Sequence, residues 1–403
     1  MSDNKFFNSL VVNLIMKYKF PIILLLIFSA ISLSLFLSFT NVESKMVVVA
    51  PKKIGLPDTT FTLLFGGDMM GHQPMIAAAY NDSLKSYQYD HWFQFIAPYI
   101  KNCNWACANL EVTLGGEPYT GYPQFSSPDE YAVAIKNAGF DFLVTANNHS
   151  QDRGSKGLER TIKVLDSLGV PHTGTFADTS IFNSSYPPVI NIAGCKIALL
   201  NYTYGTNGLI VKNPNIVNMI DSASMVRDVK KAQSMGANLI IPVMHWGVEY
   251  QTKENKEQQQ IATLLSNAGV SAIIGMHPHV VEPVKYIPVN FKKHQQDSIP
   301  VAYSLGNYIS NQRDRNRDGG IMFRLTIARK NNKYSIASVD YLPFWVWKLE
   351  SFNEKNNLVK GYYPITKQQI DMLPSDDSTK AALFFDDVKN IVTQINEWVP
   401  NEQ

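Results

Sequence analysis

Residues 239–247 read Leu239-Ile240-Ile241-Pro242-Val243-Met244-His245-Trp246-Gly247. A short apolar run of this kind reads as a buried strand, and this one ends on an imidazole. The pattern recurs along the chain. The run 61–65 leads through Gly66-Gly67 to Asp68, and 142–146 leads to Asn147-Asn148-His149. The run 272–274 leads to Gly275-Met276-His277-Pro278-His279. In open α/β sheets, sites form at the carboxyl ends of strands. Strands that each deliver a polar ligand at that end predict one shared rim.

Between these runs lie helical patterns near 91–101, 129–137, 155–168, 222–235 and 257–267, with further buried strands at 105–108 and 197–200. Asp129 and Asp221 read as N-caps, and Gly139, Gly169, Gly236 and Gly269 as helix stops. The alternation predicts an α/β domain with a mostly parallel core sheet. After Pro300 the pattern changes. Runs 301–305, 321–328 and 334–341 follow one another without helices and predict hairpins, with Asn331-Asn332 at a tight turn. The charged loop 311–319 reads as solvated surface, and a late helix is expected near 380–397.

The chain has 403 residues, 45% hydrophobic, and a net charge of +2. That charge is too small to argue for nucleic acid as a partner. Residues 20–39 form a charge-free apolar span long enough to cross a bilayer as a helix, about 30 Å at about 1.5 Å per residue. The exit, Thr40-Asn41-Val42-Glu43, is a poor signal-peptide cleavage site, so an uncleaved anchor is expected. Lys17 and Lys19 favour a cytoplasmic N-terminus; Lys45, Lys52 and Lys53 weaken that bias. The expected organisation is a tail and anchor over 1–45, a linker over 46–58, a catalytic-type domain over 59–345 and a C-terminal extension over 346–403. Cys103, Cys107 and Cys195 read as buried thiols.

The side chains at the strand ends are the ligand types of a two-metal hydrolytic centre. Two imidazoles flanking Pro278 are expected on one side of an extended backbone, one nitrogen for each metal. His245 and Asn148 are natural ligands beside them, and Glu111 can bridge two cations because a carboxylate presents two oxygens. Gly66-Gly67 is expected to let the backbone approach a metal or phosphate closely. His149 then faces substrate as a general acid or phosphate contact, oriented by Asp152. Asp152 could instead cap the helix that begins near Ser155. Glu249 and Tyr250 either line the cleft or sit on a solvated face. His91, His172 and His294 lack such context. No G-x-S-x-G elbow, P-loop or dinucleotide fingerprint is present, and Ser304 reads as lying inside a strand.

These segments, in this order and joined by Asn109-Leu110-Glu111 and Tyr303-Ser304-Leu305-Gly306-Asn307, resemble the CapA family of bacterial poly-γ-glutamate capsule synthesis proteins. That family is similar in turn to calcineurin-like metallophosphoesterases. The resemblance implies a four-layer α-β-β-α sandwich holding two divalent metal ions (Mn, Zn or Fe). It implies Asp68 and His279 on one metal, Asn148, His245 and His277 on the other, Glu111 between them, and His149 in the catalytic histidine role. His72, Asn109 and Glu249 are further candidates. Two departures stand out. Met70 occupies the place of the phosphoesterases' Asp-x-His histidine, and CapA relatives usually carry arginine where this chain has His72.

The expectation is a single-pass membrane protein whose metal-dependent hydrolase domain lies outside the cytoplasm. It would work in cell-surface polymer metabolism, with a polymer such as poly-γ-glutamate and membrane-bound capsule synthase subunits as partners. A phosphoesterase acting on lipid or glycan intermediates is the alternative. A non-catalytic scaffold for a synthase is the third reading.

Overall fold

The computed structural model describes residues 60–289, 297–330, 333–352 and 358–398. Two large sheets carry the fold. The first gathers β1 (Thr60–Met69), β2 (Trp105–Leu110), β3 (Phe142–Val144) and β4 (His172–Thr173). The second gathers β5 (Val189–Ile192), β6 (Cys195–Thr203), β7 (Leu239–His245), β8 (Ile273–Met276), β9 (Val284–Pro288) and β10 (Ser298–Ala302). The chain then returns to the first sheet with β11 (Asn307–Ile309), β12 (Gly319–Lys330), β13 (Lys333–Phe352), β14 (Leu358–Ile365) and β15 (Asn396–Glu397).

The first sheet runs β14-β13-β12-β1-β2-β3-β4, with β11 on β1 and β15 on β13. From β1 to β4 its pairs are parallel; from β1 to β14 they are antiparallel. The second sheet runs β9-β10-β8-β7-β6-β5, parallel through its centre and antiparallel at both edges. This is a mixed α/β fold, and parallel pairing in both sheets aligns the carboxyl ends that matter here.

Period-two alternation explains how the second sheet is buried on both faces. Ile197 and Leu199 of β6, with Ile241 and Val243 of β7, join the core that also holds Leu63, Leu64 and Phe65 of β1. Ala198, Leu200, Ile240 and Met244 point the other way. They pack with Met225, Val229 and Leu265 of helices α1 (Ser222–Ser234) and α2 (Lys256–Ala268). Asp221 caps α1 through Ser224 N at 2.8 Å, as the sequence predicts. Gly139 and Gly269 end their helices in the left-handed region.

Several expectations change. Asp129 is not an N-cap: Pro128 holds that position and Asp129 pairs with Arg160 instead. The single helix expected over 91–101 is a 3-10 turn, Asp90–Phe93, and a short helix, Ala97–Lys101. Pro98 explains the break, since proline is tolerated only at a helix start. The late helix is Ser375–Ile391, set by Pro374 before it and by Asp376 and Asp377 in its first turn. Ser304 lies just past β10 and donates to Val280 O at 2.7 Å, not inside a strand. The boundary expected at 345 falls within β13, and β14 extends the same sheet, so residues 346–352 and 358–365 are integral to the sheet. The three cysteines are buried and form no disulfide with one another. The expected anchor, 20–39, and the expected turn at Asn331-Asn332 lie outside the described residues. Among the described residues no helix is long and apolar enough to cross a membrane.

Candidate metal centre

The parallel strand ends bring the chemistry together. Asp68 near the end of β1 lies in register with Asn109 of β2 on one side and Asn307 of β11 on the other. Glu111 follows β2, His245 ends β7, and His277 follows β8. Asn148 and His149 occupy the turn after β3. Each of these site residues, with Asp152 and His279, is no more than 4% exposed, so every polar atom needs a partner.

Two groups of ligand atoms emerge. Glu111, His245 and His277 form one; Asp68, Glu111 and His279 form the other. Within each group the atoms lie within 4.8 Å of one another, and Glu111 is common to both. Its Oε1 is 3.4 Å from His245 Nε2 and 3.7 Å from His279 Nε2. Asn148 Oδ1 accepts from His245 Nε2 at 2.8 Å, which puts the amide oxygen beside the first group. Asn109 ties the groups together. Its Nδ2 donates to Asp68 Oδ1 at 2.8 Å and to Glu111 Oε2 at 3.1 Å.

Two buried ligand atoms, Glu111 Oε1 and His277 Nδ1, have no hydrogen-bond partner, and His279 Nδ1 meets only Asp68 Oδ2, at 3.2 Å. Leaving such atoms unpaired is costly. A shared cation would satisfy them, so the residues fit a metal at each group. The electrostatics agree. Burial, then the adjacent Asp68, pushes the Glu111 carboxyl well up. Burial also pushes Asp68 up, but His279, His245 and the Asn109 amide outweigh it and hold that carboxyl well below the usual range. Burial and then His279 push His277 down to about 3; burial and then His277 push His245 down. Neutral imidazoles and an ionised Asp68 are the protonation states that metal ligation requires, and Glu111 would release its proton on binding a cation.

The histidine pair is not extended. His277 has φ +101° and His279 φ +58°. A non-glycine residue held there costs about 1–3 kcal/mol, so its contacts must enforce it. His277 N donates to Asp68 Oδ2 at 3.1 Å, and Tyr250 N donates to Pro278 O at 2.8 Å. This turn sends one imidazole to each group. Packing against the chain itself requires Gly66 and Gly67. A Cβ on Gly67 would stand 1.9 Å from Gly306 O, and one on Gly66 2.7 Å from the Tyr308 ring.

Asn148 and His149 also depart from an extended backbone, yet their side chains diverge. His149 Nδ1 lies 2.8 Å from Asp152 Oδ2, and its ring meets Phe125 at 4.6 Å. Asp152 does not cap the helix Gly154–Ser167, whose N-cap is Arg153. His72 belongs to neither group. Its Nδ1 accepts from Asn311 N at 3.3 Å and its ring meets Phe125 at 5.4 Å. Burial, then His279 and His149, pushes it down to about 4. His91 and His172 pack elsewhere, and His294 lies outside the described residues.

The model of the family described as bacterial capsule synthesis protein PGA_cap matches residues 62–312, which contain every residue of this centre. The chain belongs to this family. It is similar to the capsule biosynthesis protein CapA of Bacillus anthracis, 29% identical over 283 residues, 66% of this chain and 63% of that one. It is also similar to the PGA biosynthesis protein CapA of Bacillus subtilis, 26% identical over 276 residues, 62% of this chain and 65% of that one. The chain thus spans less than two thirds of either relative. Among solved structures it resembles a calcineurin-like phosphoesterase, YfkN of Bacillus subtilis, with a TM-score of 0.42 and 16% identity over 71% of this chain and 90% of that one.

Tyr204 of this PGA_cap domain carries no signal in the sequence pattern: one residue past β6, it lies 4.5 Å from the His277 ring and 6.3 Å from the His245 ring. Tyr250, expected either to line the cleft or to sit on a solvated face, lies 6.2 Å from the His279 ring. Beside them a cleft of about 390 Å³ is lined by Tyr122, Asn148, His149, Asp152, Asn207 and Glu249. Glu249 is therefore a cleft residue and not a member of either ligand group.

Proposed function

We propose that the chain is a membrane-anchored, extracytoplasmic hydrolase with two divalent metal ions, acting on a cell-surface polymer of the poly-γ-glutamate type. The observation that carries this reading is the single carboxylate, Glu111, shared by two buried ligand groups. The body would be a four-layer α-β-β-α sandwich of the metallophosphoesterase type, a reading supported by the core the two sheets share and by helices α1 and α2 against the other face of the second sheet. Family membership and the names of the Bacillus relatives support the capsule setting. The charge-free span 20–39 supports the anchor, and capsule synthase subunits in the same membrane are its partners.

Asp68, Glu111 and His279 would hold one ion; Glu111, Asn148, His245 and His277 would hold the other. Two such cations would supply a water of lowered pKa and would polarise the carbonyl oxygen of the bond being broken. The chain's own residues do the rest. Asn109 fixes Asp68 and Glu111 relative to each other. A carboxylate only accepts, so His149 carries its proton on Nδ1 toward Asp152 and leaves Nε2 to exchange a proton with substrate. The buried Phe125 ring packs edge-on against the His149 ring and shields it from water on that side.

Full-length protein in detergent, loaded in turn with Mn, Zn and Fe, tests this on a γ-linked glutamate oligomer and on a generic phosphodiester. Cleavage of the γ-glutamyl bond is the expected result. Turnover of the phosphodiester alone would move the assignment to phosphate esters of lipid or glycan intermediates. Protein that takes up no metal would be a scaffold. Retention with membranes through a carbonate wash tests the anchor; release of the full chain by that wash would refute it.

A further inference from the structure

We propose that Arg317 is the anion-recognition residue of this site, taking a carboxylate or phosphate group of the substrate on the side of the centre that His279 occupies. The loop that carries it reads in sequence as solvated surface, but its three arginines have different fates. Arg315 is fully engaged: its guanidinium donates to both oxygens of Asp387, at 2.7 and 2.6 Å. Arg313 is turned inward, 5.3 Å over the Trp345 ring, with Asp318 as its opposing charge. Arg317 faces the centre. Its guanidinium lies 3.5 Å over the Tyr250 ring, and that ring lies 6.2 Å from the His279 ring.

The backbone beneath Arg317 is fastened to the same place. Asn307 Nδ2 donates to Arg317 O at 2.7 Å and to His279 O at 3.3 Å. Asn307 is itself in register with Asp68. A cation is thus held at a set position against the ligand turn, by a ring on one side and an amide on the other.

The guanidinium also has donors to give. Among the described residues its one ion pair is with Asp314, through one nitrogen at 2.8 Å, and the Asp314 side chain is 76% exposed. An exposed pair of this kind adds little and is readily exchanged. Arginine offers five N–H donors in a planar fork that matches a carboxylate or a phosphate bidentately. A fixed rim cation draws an acidic substrate and sets which end of it enters.

The proposal deepens the hydrolase reading, but its test is binding and needs no turnover. Full-length protein in detergent, loaded with Mn, is titrated with a fluorescent γ-linked glutamate oligomer and separately with phenyl phosphate. Wild type should bind, more weakly at higher salt. Arg317→Gln should lose about 10–100-fold in affinity, the range for a hydrogen bond to a charged group. Arg317→Lys should fall between them, keeping the charge without the fork. Arg315→Ala should bind as wild type does. A larger loss for the oligomer assigns a carboxylate; a larger loss for phenyl phosphate assigns a phosphate. Equal binding by Arg317→Gln and wild type, or no binding of either probe to wild type, would overturn the proposal. So would loss of metal or of melting temperature in Arg317→Gln, because that pattern belongs to a residue that only braces the loop. Failure of the hydrolase reading looks different: binding intact, Arg317-dependent, and no bond cleaved.

Discussion

His149 Nδ1 lies 2.8 Å from Asp152 Oδ2, and the same oxygen accepts the Phe125 N–H at 2.7 Å. One carboxylate oxygen therefore orients the imidazole and anchors the loop that covers it. The ring is fixed but belongs to neither ligand group.

Metal binding and proton transfer should separate at this pair. His149→Ala is expected to keep its metal and its melting temperature while losing turnover by about 10²–10⁴-fold on whichever probe is active. Asp152→Asn should lose less, since it only orients. Metal analysis beside the rate decides it: metal lost in proportion to activity would make His149 a ligand.

Asn109 holds two carboxyls that otherwise repel each other across the centre. Asn109→Ala should weaken metal affinity by about 10–100-fold, as loss of a ligand-orienting partner does elsewhere. The change should appear in a chelator titration at both metal positions, because Asp68 and Glu111 both lose a donor. An unchanged titration curve would show that the amide is a spectator.

Glu282 gives a pH prediction that is independent of any metal. It is fully buried, and its Oε2 accepts from Gln258 Nε2 at 2.7 Å. Burial pushes its carboxyl up to about 8, against an ordinary value of 4.5. Between those values the folded protein binds the proton that the unfolded chain releases. Stability from this group is therefore complete below about 4.5 and is lost as pH rises through about 8. The shift is worth on the order of a few kcal/mol. Glu282→Gln should flatten the fall in melting temperature between pH 5 and pH 9, bounds set about the two values. Parallel melting curves for variant and wild type over that range would count against it.

Much of the centre was legible because strand ends are legible. The apolar runs before Asp68, Glu111, His245 and His277 fix where the strands stop, and parallel pairing then puts the stops on one rim. What failed depended on distant contacts. The positive φ at His277 and His279 is enforced by Asp68 and by Tyr250, which no local pattern reveals. Gly67 looks like a metal approach in sequence, but it makes room for the carbonyl of Gly306. Arg317 is indistinguishable from Arg313 and Arg315 until Tyr250 and Asn307 are seen beneath it. The boundary at 345 was misread because β13 continues past two tryptophans into a strand of 20 residues.

The shared carboxylate is the centre of the account, and counting metal per chain reaches it most directly. Full-length wild type and Glu111→Ala are loaded identically, desalted and measured by elemental analysis, with the melting temperature taken alongside. Wild type is expected to hold about two ions per chain. Folded Glu111→Ala should lose most of both, whereas His279→Ala and His277→Ala should each lose mainly one. Two ions retained by folded Glu111→Ala, or none in wild type, would contradict a centre built around Glu111.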